Sequence, residues 1–258
     1  MNELVSIIMP SYNCGCFIEE SILSVQSQTY HNWELIIIDD YSTDDTIAKV
    51  SAIQEKDNRI QLYRNDCNLG AAVSRNNGLS RAKGRWIAFL DSDDLWESTK
   101  LEKQVGFMET HNYSFSYTRY CEIDEKSRET GVEIFGPAKI TKLGMFSFCW
   151  PGCLTVMYDR NRIGLIQIED IKKNNDYAIW LKICKKADCF LLDERLAKYR
   201  RGRGGSISNH SYISLVSWHY KLFHDAEKMN PVLSAFMTGV NLFFGVYKKI
   251  KYVKKYDV

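Results

Sequence analysis

Residues 86–94 have the sequence Trp-Ile-Ala-Phe-Leu-Asp-Ser-Asp-Asp, in which an unbroken apolar run is followed at once by three carboxylates. A short apolar run of this kind, bounded by polar residues, predicts a strand that is buried on both faces. Such strands are typical of parallel sheets that are covered by helices. The segment therefore predicts an α/β fold with a polar site at the end of one of its strands.

The sequence before residue 86 alternates strand and helix patterns. Apolar runs predict three further strands, at 5–9, 34–38 and 60–63. Apolar residues at helical spacing predict helices at 17–26, 42–53 and 71–82, the second opened by a capping box at Ser42-Thr43-Asp44-Asp45. This alternation is typical of a parallel sheet with helices on both faces. We therefore predict a Rossmann-like, mostly parallel sheet flanked by helices, with a helical extension at the C-terminal end.

Polar side chains directly follow three of the predicted strands. They are Ser11-Tyr12-Asn13, Asp39-Asp40 and Asp91-Ser92-Asp93-Asp94. Ligands of open α/β sheets bind at the carboxyl ends of the strands, so we expect these residues to form one site. Tyr12 can stack on a base or simply pack within the fold. Asp40 can accept from a nucleobase or a ribose, or shape a turn with Ser42, and the spacing favours neither role.

The carboxylates of Asp91, Asp93 and Asp94 indicate a metal site. Negative charges so close together repel one another, and a divalent cation removes this conflict. Mg²⁺ or Mn²⁺ takes carboxylate oxygens and completes its coordination with phosphate oxygens and water. The alternative is a helix N-terminus capped by Asp, in a helix that begins near Glu97. A cap accounts for one or two of these carboxylates but not for all of them, so we predict metal binding.

The sequence after residue 96 has a less regular, mixed α and β pattern. Asp176 precedes an apolar helical pattern, and this position by itself favours an N-cap over a catalytic role. Residues 200–205, Arg-Arg-Gly-Arg-Gly-Gly, form a basic and glycine-rich segment. Charged loops are usually solvated, but arginines on a flexible loop can also close over phosphate oxygens.

These motifs, in this order, resemble the family 2 glycosyltransferases, which have the GT-A fold. The resemblance is close over residues 3–105, with motifs at 5–13, 28–42, 68–78 and 84–94. Beyond residue 105 it continues in two patches, Asn175-Asp176-Tyr177-x-x-Trp180-Leu181 and Tyr199-Arg200 followed by Ser206-Ile207-Ser208. It implies a GT-A domain at 1–210, divided into a nucleotide-binding half at 1–95 and an acceptor-binding half at 96–210, and a helical basic extension at 211–258.

The resemblance implies a role for each candidate site residue. Tyr12 would pack on uracil, Asp40 would bind the base, and Asp176 would be the catalytic base. Asp91 and Asp93 match the DXD motif that binds Mn²⁺ or Mg²⁺, with Asp93 as the more direct ligand. The implied nucleotide-sugar-binding set is Pro10, Tyr12, Asp40, Arg75, Asp91, Ser92, Arg200 and Arg203, the last two on a loop that closes over the diphosphate. The family often has Glu before the base, whereas Asn175 precedes Asp176 here and leaves the base without a neighbouring carboxylate.

The implied function is an inverting transfer of a hexose, glucose or galactose, from a UDP-sugar to a GlcNAc-type acceptor on a lipid diphosphate. The outline is similar to bacterial O-antigen glycosyltransferases, whose acceptors are polyprenyl-diphosphate-linked sugars. The alternatives are a capsule or lipooligosaccharide glycosyltransferase with another donor, and a non-catalytic sugar- or lipid-binding module. A binding module would not need clustered carboxylates and a remote Asp. A sugar nucleotidyltransferase is disfavoured because no glycine-rich basic loop follows the first strand, and a haloacid-type phosphatase because Leu95 replaces the Thr or Val of its motif.

Charge is distributed unevenly along the chain. The net charge is +2, but the part from Arg195 onward contains twelve Lys or Arg and three Asp or Glu. The acidic remainder disfavours nucleic acid as a partner, and the basic end suggests an anionic partner. Residues 232–246 are largely apolar and are followed by five lysines. This pattern is typical of a helix on an anionic membrane surface, or of a core-packed helix with a solvated end.

The remaining features concern the cellular compartment. The chain begins without the basic segment of a signal peptide, and no run of about 20 apolar residues would span a bilayer. The eight cysteines are expected to be free thiols rather than disulfides or a zinc site. We therefore expect a cytoplasmic protein that is peripheral on the inner face of a bacterial cell membrane.

Overall fold

The computed structural model describes residues 3–202 and 212–257, so Arg203 and the Ser206-Ile207-Ser208 segment lie outside the described residues. The first half forms a parallel sheet in the order β3-β2-β1-β4. Its strands are β1 (Val5–Ser11), β2 (Trp33–Asp39), β3 (Ile60–Arg64) and β4 (Trp86–Phe89), and the helices between them are α1 (Ile18–Gln26), α2 (Thr46–Gln54) and α3 (Ala71–Arg81). The predicted α/β alternation of this half is confirmed.

The predicted capping box before α2 is wrong. The helix begins at Thr46, and the residue before it makes no side-chain cap. The Ser42 hydroxyl instead accepts from the Asn13 backbone N–H at 2.9 Å. Asp44 accepts from the Gly15 backbone N–H at 2.9 Å and from the Thr46 hydroxyl at 2.5 Å. The polar run therefore ties the loop after β1 to the start of α2, because its acceptors meet donors from another part of the chain.

The second half adds pairings that are mostly antiparallel. Its elements are β5 (Leu95–Trp96), α4 (Lys100–His111), β6 (Phe115–Ile123), β7 (Glu129–Ile134), β8 (Lys139–Ile140), α5 (Lys142–Ser147), a 3₁₀ turn (Cys153–Thr155), β9 (Met157–Asp159), α6 (Arg160–Ile163), α7 (Asn175–Cys184) and β10 (Cys189–Arg200). Strand β9 pairs antiparallel with β4, β6 pairs antiparallel with β9, and β10 runs parallel to β6. The parallel arrangement thus belongs mainly to the first half, and the sheet as a whole is mixed.

The C-terminal part packs against the main sheet. It contains α8 (Tyr212–Lys221), a π-helical turn (Leu222–Ala226), α9 (Pro231–Lys251) and β11 (Val253–Lys255). Strand β11 pairs antiparallel with β7 and so extends the same sheet. The expected boundary at residue 210 falls outside the described residues and stays a prediction. No helix in the described ranges is long and apolar enough to cross a membrane.

Two apolar clusters cover the two faces of the sheet. Successive strand residues point to opposite faces, so Ile8 belongs to one cluster while Ile7 belongs to the other. Every residue of β2 is buried, as its apolar sequence predicts. Trp180 of α7 packs edge-on against Phe89 of β4, with ring centroids 5.1 Å apart. This contact fixes α7, which carries Asp176, to the strand that leads into the carboxylates.

Candidate active site

A cavity of about 580 Å³ lies at the carboxyl ends of the parallel strands. Every predicted site residue that the structure describes lines it: Pro10, Tyr12, Asp40, Arg75, Asp91, Ser92, Asp93, Asp176 and Arg200. Arg203 lies outside the described residues. Residues from six separate parts of the chain thus meet in one place, as expected for ligands of an open α/β sheet.

Asp40 is buried and organises the loop before α3. Its Oδ1 accepts from the Asn65 amide at 2.8 Å and from the Leu69 backbone N–H at 2.9 Å. Its Oδ2 accepts from the Gly70 backbone N–H at 2.8 Å. Asn65 also donates to the Ser74 hydroxyl at 3.0 Å, which joins this loop to α3. The sequence analysis missed Asn65, because a single Asn after a strand looks like an ordinary turn residue.

Three residues next to the site have left-handed backbone conformations. They are Asn13, Tyr41 and Asn174, with φ of 46°, 69° and 57°. This conformation is uncommon outside glycine, above all for a bulky side chain such as Tyr41. Each of the three directly follows or precedes a cavity-lining residue. Such positions carry local strain that the surrounding structure must offset, and they concentrate at functional sites.

The carboxylate segment does not cap a helix. Strand β4 is followed by β5, and the next helix begins only at Lys100, with Thr99 before it. Asp94 is buried, and its Oδ1 accepts from the Arg200 backbone N–H at 2.8 Å. Burial, together with the charges of Asp93 and Asp91, raises the pKa of Asp94 well above its usual value. Asp94 thus accepts from the protein main chain, and the predicted metal ligands remain Asp91 and Asp93.

The two remaining carboxylates suit a metal that binds together with a phosphate ligand. No group of three or more His, Cys, Asp or Glu within residues 3–202 and 212–257 could hold a metal by itself. Mg²⁺ binds proteins through one or two carboxylates and completes its octahedron with substrate phosphates and water. Asp91 and Asp93 supply such hard oxygen donors on the wall of an open cavity. The donor set thus fits Mg²⁺ or Mn²⁺ shared with a diphosphate.

Arg75 connects the carboxylate segment to the helix of the predicted base. Its buried guanidinium donates from Nη2 to Asp91 Oδ1 at 2.5 Å and lies 3.6 Å from Cys153 Sγ. Its Nη1 donates to Asn175 Oδ1. The amide oxygen of Asn175 therefore accepts from Arg75 at the position where the family often has Glu. Cys153 is a buried free thiol, as expected from the sequence, but its place beside Arg75 was not predicted.

Asp176 is the second residue of α7 and faces the cavity. The residue before this helix is Asn174, so the alternative that Asp176 is an N-cap is wrong. Burial raises the pKa of Asp176, while the positive charge of Arg75 lowers it. One of its oxygens accepts from the Tyr177 backbone N–H at 2.8 Å. A carboxylate with a raised pKa is better suited to accept a proton near neutral pH than an exposed one.

Arg200 lines the cavity, but it does not lie on the expected loop. It is the last residue of β10, and its side chain is fully buried. Its Nε donates to the Asp93 carbonyl oxygen at 2.7 Å. Its remaining guanidinium N–H groups donate to acceptors on two other segments, the Asp124 carbonyl, the Ser127 hydroxyl and Glu20 Oε2. Arg200 therefore holds the carboxylate segment in place through contacts that the sequence pattern does not reveal.

A family comparison assigns the chain. The family model described as "Glycosyl transferase family 2" matches residues 6–159. Two Escherichia coli relatives, WfaP and WfgD, are 42% and 43% identical over 83% and 80% of this chain and the same shares of their own. The proposed teichuronic acid biosynthesis glycosyltransferase TuaG of Bacillus subtilis is 38% identical over 88% of this chain and 90% of its own length. The chain belongs to glycosyltransferase family 2 and is a glycosyltransferase.

Solved structures support the fold. Residues 1–349 of Staphylococcus aureus TarS, in complex with UDP-GlcNAc, superpose with a TM-score of 0.70 at 18% identity, covering 96% of this chain and 74% of that one. The mannosyltransferase PcManGT of Pyrobaculum calidifontis, in complex with GDP-Man and Mn²⁺, superposes with a TM-score of 0.65 at 16% identity, covering 96% and 70%. At these identities the likeness concerns the fold alone, and it confirms the GT-A architecture.

Proposed function

We propose that this enzyme transfers glucose from UDP-glucose to a GlcNAc residue carried on a lipid diphosphate, with inversion at the anomeric carbon. WfaP and WfgD are both named as UDP-Glc:alpha-D-GlcNAc-diphosphoundecaprenol beta-1,3-glucosyltransferases. The observation that carries the proposal is the single cavity that brings together Tyr12 and Asp40, the carboxylates Asp91 and Asp93, and Asp176. These three groups supply the nucleotide, diphosphate and acceptor functions that the reaction needs.

The nucleotide is placed at the ends of β1 and β2. Tyr12 offers an aromatic face to uracil, and Pro10 lines the same end of the cavity. Each carboxylate oxygen can accept two hydrogen bonds, and Asp40 Oδ2 accepts one from Gly70. That oxygen retains the capacity to accept from uracil N3–H. The loop contacts of Asp40 hold its carboxylate in a fixed position, so base recognition requires little reorganisation.

The diphosphate is placed beside Asp91, Ser92 and Asp93. When Mn²⁺ or Mg²⁺ is bound there, it stabilises the negative charge that develops on the departing diphosphate. Arg75 holds the Asp91 carboxylate at 2.5 Å, and Arg200 holds the Asp93 main chain. These arginines position the metal-binding segment. Arg203 is proposed from the sequence resemblance to contact the diphosphate.

Asp176 is proposed to act as the general base. Its carboxylate takes the proton of the acceptor hydroxyl as that oxygen bonds to the anomeric carbon of the donor. The bond between the anomeric carbon and the diphosphate oxygen breaks in the same step, and its electron pair stays with UDP. Attack from the face opposite the leaving group inverts the configuration, so an α-linked donor gives a β-linked product.

A second candidate is a different surface-polysaccharide transferase with another donor sugar. TuaG matches this chain over a larger share of both proteins than WfaP or WfgD do. The hydroxyl at C4 of the donor distinguishes glucose from galactose, and UDP-galactose is the next donor to consider.

Donor choice can be measured directly. The protein is incubated with Mn²⁺, a GlcNAc-diphosphate-lipid analogue and, in turn, UDP-glucose, UDP-galactose, UDP-GlcNAc and GDP-mannose, and released nucleotide is quantified. We expect acceptor-dependent release to be fastest with UDP-glucose, the donor in the names of WfaP and WfgD, followed by UDP-galactose. Release from GDP-mannose should be slower than from either, because Asp40 and Tyr12 suit uracil. Faster nucleotide release from GDP-mannose than from the UDP-sugars would overturn the uridine assignment. Nucleotide release at the same rate with and without the acceptor analogue would overturn the acceptor class.

Helix α9 has an unusual distribution of polar and apolar side chains. Its buried residues include Ser234, Thr238 and Asn241, and Asn241 donates to the Phe146 carbonyl oxygen at 3.0 Å. Met237 and Phe244 pack against the core. The opposite side carries an outer stripe of exposed apolar residues at helical spacing, Val232, Phe236, Phe243, Val246 and Ile250. The helix is thus both docked on the protein and apolar on its exposed face.

We propose that the outer stripe lies in the interface of an anionic membrane. Phe236 and Phe243 are 65% and 67% exposed, which is costly in water for residues of this size. Lys249 and Lys251 at the end of α9, with Lys254 and Lys255 in β11, are exposed and suited to anionic headgroups, each adding roughly 1 kcal/mol near the surface. The enzyme would then be peripheral at the cytoplasmic face, where its lipid-linked acceptor is available.

Phe236→Ser/Phe243→Ser should abolish co-sedimentation with vesicles containing phosphatidylglycerol. Each Phe side chain that moves from water into the membrane interface contributes about 1.5–3 kcal/mol to binding. Losing both should therefore lower the vesicle partition coefficient by more than tenfold. The fold should be retained, because both side chains are exposed, and thermal unfolding checks this. The matched control is Leu23→Ser, at an exposed leucine of α1, which should bind normally. If the unaltered protein does not co-sediment with these vesicles at low salt, the membrane assignment is wrong.

A further inference from the structure

Two lysines line the cavity directly before α7. Lys172 is exposed, and Lys173 is half-buried with its Nζ 5.2 Å from the centroid of the Trp218 ring. Trp218 and Leu215 of α8 line the same cavity. A cationic pair beside an aromatic and an aliphatic side chain combines the features needed for an anionic group that is attached to an apolar chain.

Both arginines of the cavity wall, Arg75 and Arg200, are engaged by the protein itself. Arg75 is paired with Asp91 at 2.5 Å, and Arg200 is paired with Glu20 at 2.7 Å and bonded to two further segments, at Asp93–Asp94 and at Asp124. Lys172 forms no ion pair with any residue that the structure describes. Lys172 therefore contributes positive charge that no carboxylate of the described residues pairs with, beside the second cationic side chain, Lys173.

The lysine pair precedes Asp176 closely in the chain, and this position suits the diphosphate of the acceptor. Lys172 and Lys173 stand four and three residues before Asp176 in the chain. In a GlcNAc whose hydroxyl is directed at Asp176, the anomeric oxygen lies across the same sugar ring. A diphosphate attached there is one ring away from the base, whereas the donor diphosphate belongs beside Asp91 and Asp93. The N-terminus of α7 adds partial positive charge at this side of the cavity.

We propose that Lys172 and Lys173 bind the diphosphate of the lipid acceptor, and that Trp218 and Leu215 contact the first part of its lipid chain. This inference rests on the proposed function and adds the residues that distinguish a diphosphate-linked GlcNAc from a free one. Helix α8 packs against α9, so a lipid that passes Trp218 continues toward the helix that carries the outer stripe.

The test compares two acceptors on three proteins. One acceptor is GlcNAc joined through a diphosphate to a short alkyl chain, and the other is GlcNAc joined to the same chain as a simple glycoside. The proteins are the unaltered enzyme, Lys172→Met/Lys173→Met, and the charge-matched control Lys56→Met/Lys83→Met. Lys56 and Lys83 are exposed and lie in the loops before β3 and β4, at the opposite end of the strands from the cavity. UDP affinity in the presence of Mn²⁺ is measured for each protein by calorimetry.

We expect Lys172→Met/Lys173→Met to lose about 10² in kcat/KM for the diphosphate acceptor, roughly tenfold for each charge-assisted contact. Its kcat/KM for the glycoside and its UDP affinity should be unchanged, and Lys172→Arg/Lys173→Arg should restore most of the loss. An equal loss for both acceptors, or a parallel loss of UDP affinity, would overturn the proposal. If the unaltered enzyme elongates neither acceptor, the proposed function itself fails, and this outcome is distinct from a variant without an effect.

Discussion

Asp176→Asn should lower turnover by a factor on the order of 10²–10⁴, the usual contribution of general-base catalysis. The amide has the same size as the carboxylate and can still accept from the Tyr177 backbone N–H, which Asp176 does at 2.8 Å. The substitution therefore removes the proton acceptor while keeping the local geometry. UDP affinity should be nearly unchanged, because the donor nucleotide is assigned to the other end of the cavity.

Two further measurements separate a base from a merely structural carboxylate. Asp170→Asn makes the same chemical change at an exposed position six residues earlier in the chain, and it should leave turnover unchanged. NMR analysis of the product should show a β-linkage from the α-linked donor. Retention of configuration would refute the single-displacement mechanism even if Asp176 proved essential. Turnover of Asp176→Asn within about twofold of the unaltered enzyme would remove the residue from the mechanism.

The nucleotide-binding half was predictable because its signals are local. An apolar run such as residues 34–38 forms β2, and every residue of that strand is buried. The carboxyl ends of parallel strands meet at one edge, so the sequence alone brought Tyr12, Asp40 and Asp91 together. The cavity in the structure contains all of these residues.

The contacts that position the site were not predictable, because their partners are distant in the chain. Arg200 is one member of an Arg-rich segment, and its burial depends on Glu20, which is 180 residues away. Asp94 looks equivalent to Asp91 and Asp93 until the Arg200 backbone N–H is found to bond it. Asn175 departs from the family pattern, and only its contact with Arg75, 100 residues away, explains what the amide does.

The orientation of α9 could not be predicted from the sequence for a different reason. Helical spacing identifies two faces of a helix but not which one is buried. The core-packed alternative of the sequence analysis describes the buried face of α9, and the membrane-surface alternative stays a prediction for its exposed apolar face. Asn241 is buried because it donates to the Phe146 carbonyl oxygen, whereas Phe243 stays exposed. A long-range polar contact can therefore determine which face of a helix is buried. An apolar residue on the other face then stays exposed to solvent.

Asp93→Ala should lower activity by about 10³, since it removes a proposed ligand of the cation that would stabilise the leaving diphosphate. Asp91 should replace it only in part, because a single carboxylate then has to bind a cation that two carboxylates bind in the proposed site. The fold should persist, because the substitution reduces the repulsion among clustered carboxylates. Circular dichroism and thermal unfolding check this point. Asp66→Ala, at an exposed carboxylate in the loop after β3, is the control and should have normal activity.

Metal removal tests the role of the cation independently of the Asp93 substitution. Excess EDTA should abolish activity of the unaltered enzyme, and added Mn²⁺ or Mg²⁺ should restore it. Calorimetry should show that the cation strengthens UDP binding to the unaltered enzyme but much less to Asp93→Ala, because the diphosphate and Asp93 share the ion. The metal assignment is wrong if the enzyme keeps full activity in EDTA, or if Asp93→Ala shows the same gain in UDP affinity from Mn²⁺ as the unaltered enzyme. In the second case, Asp91 would bind the cation without Asp93.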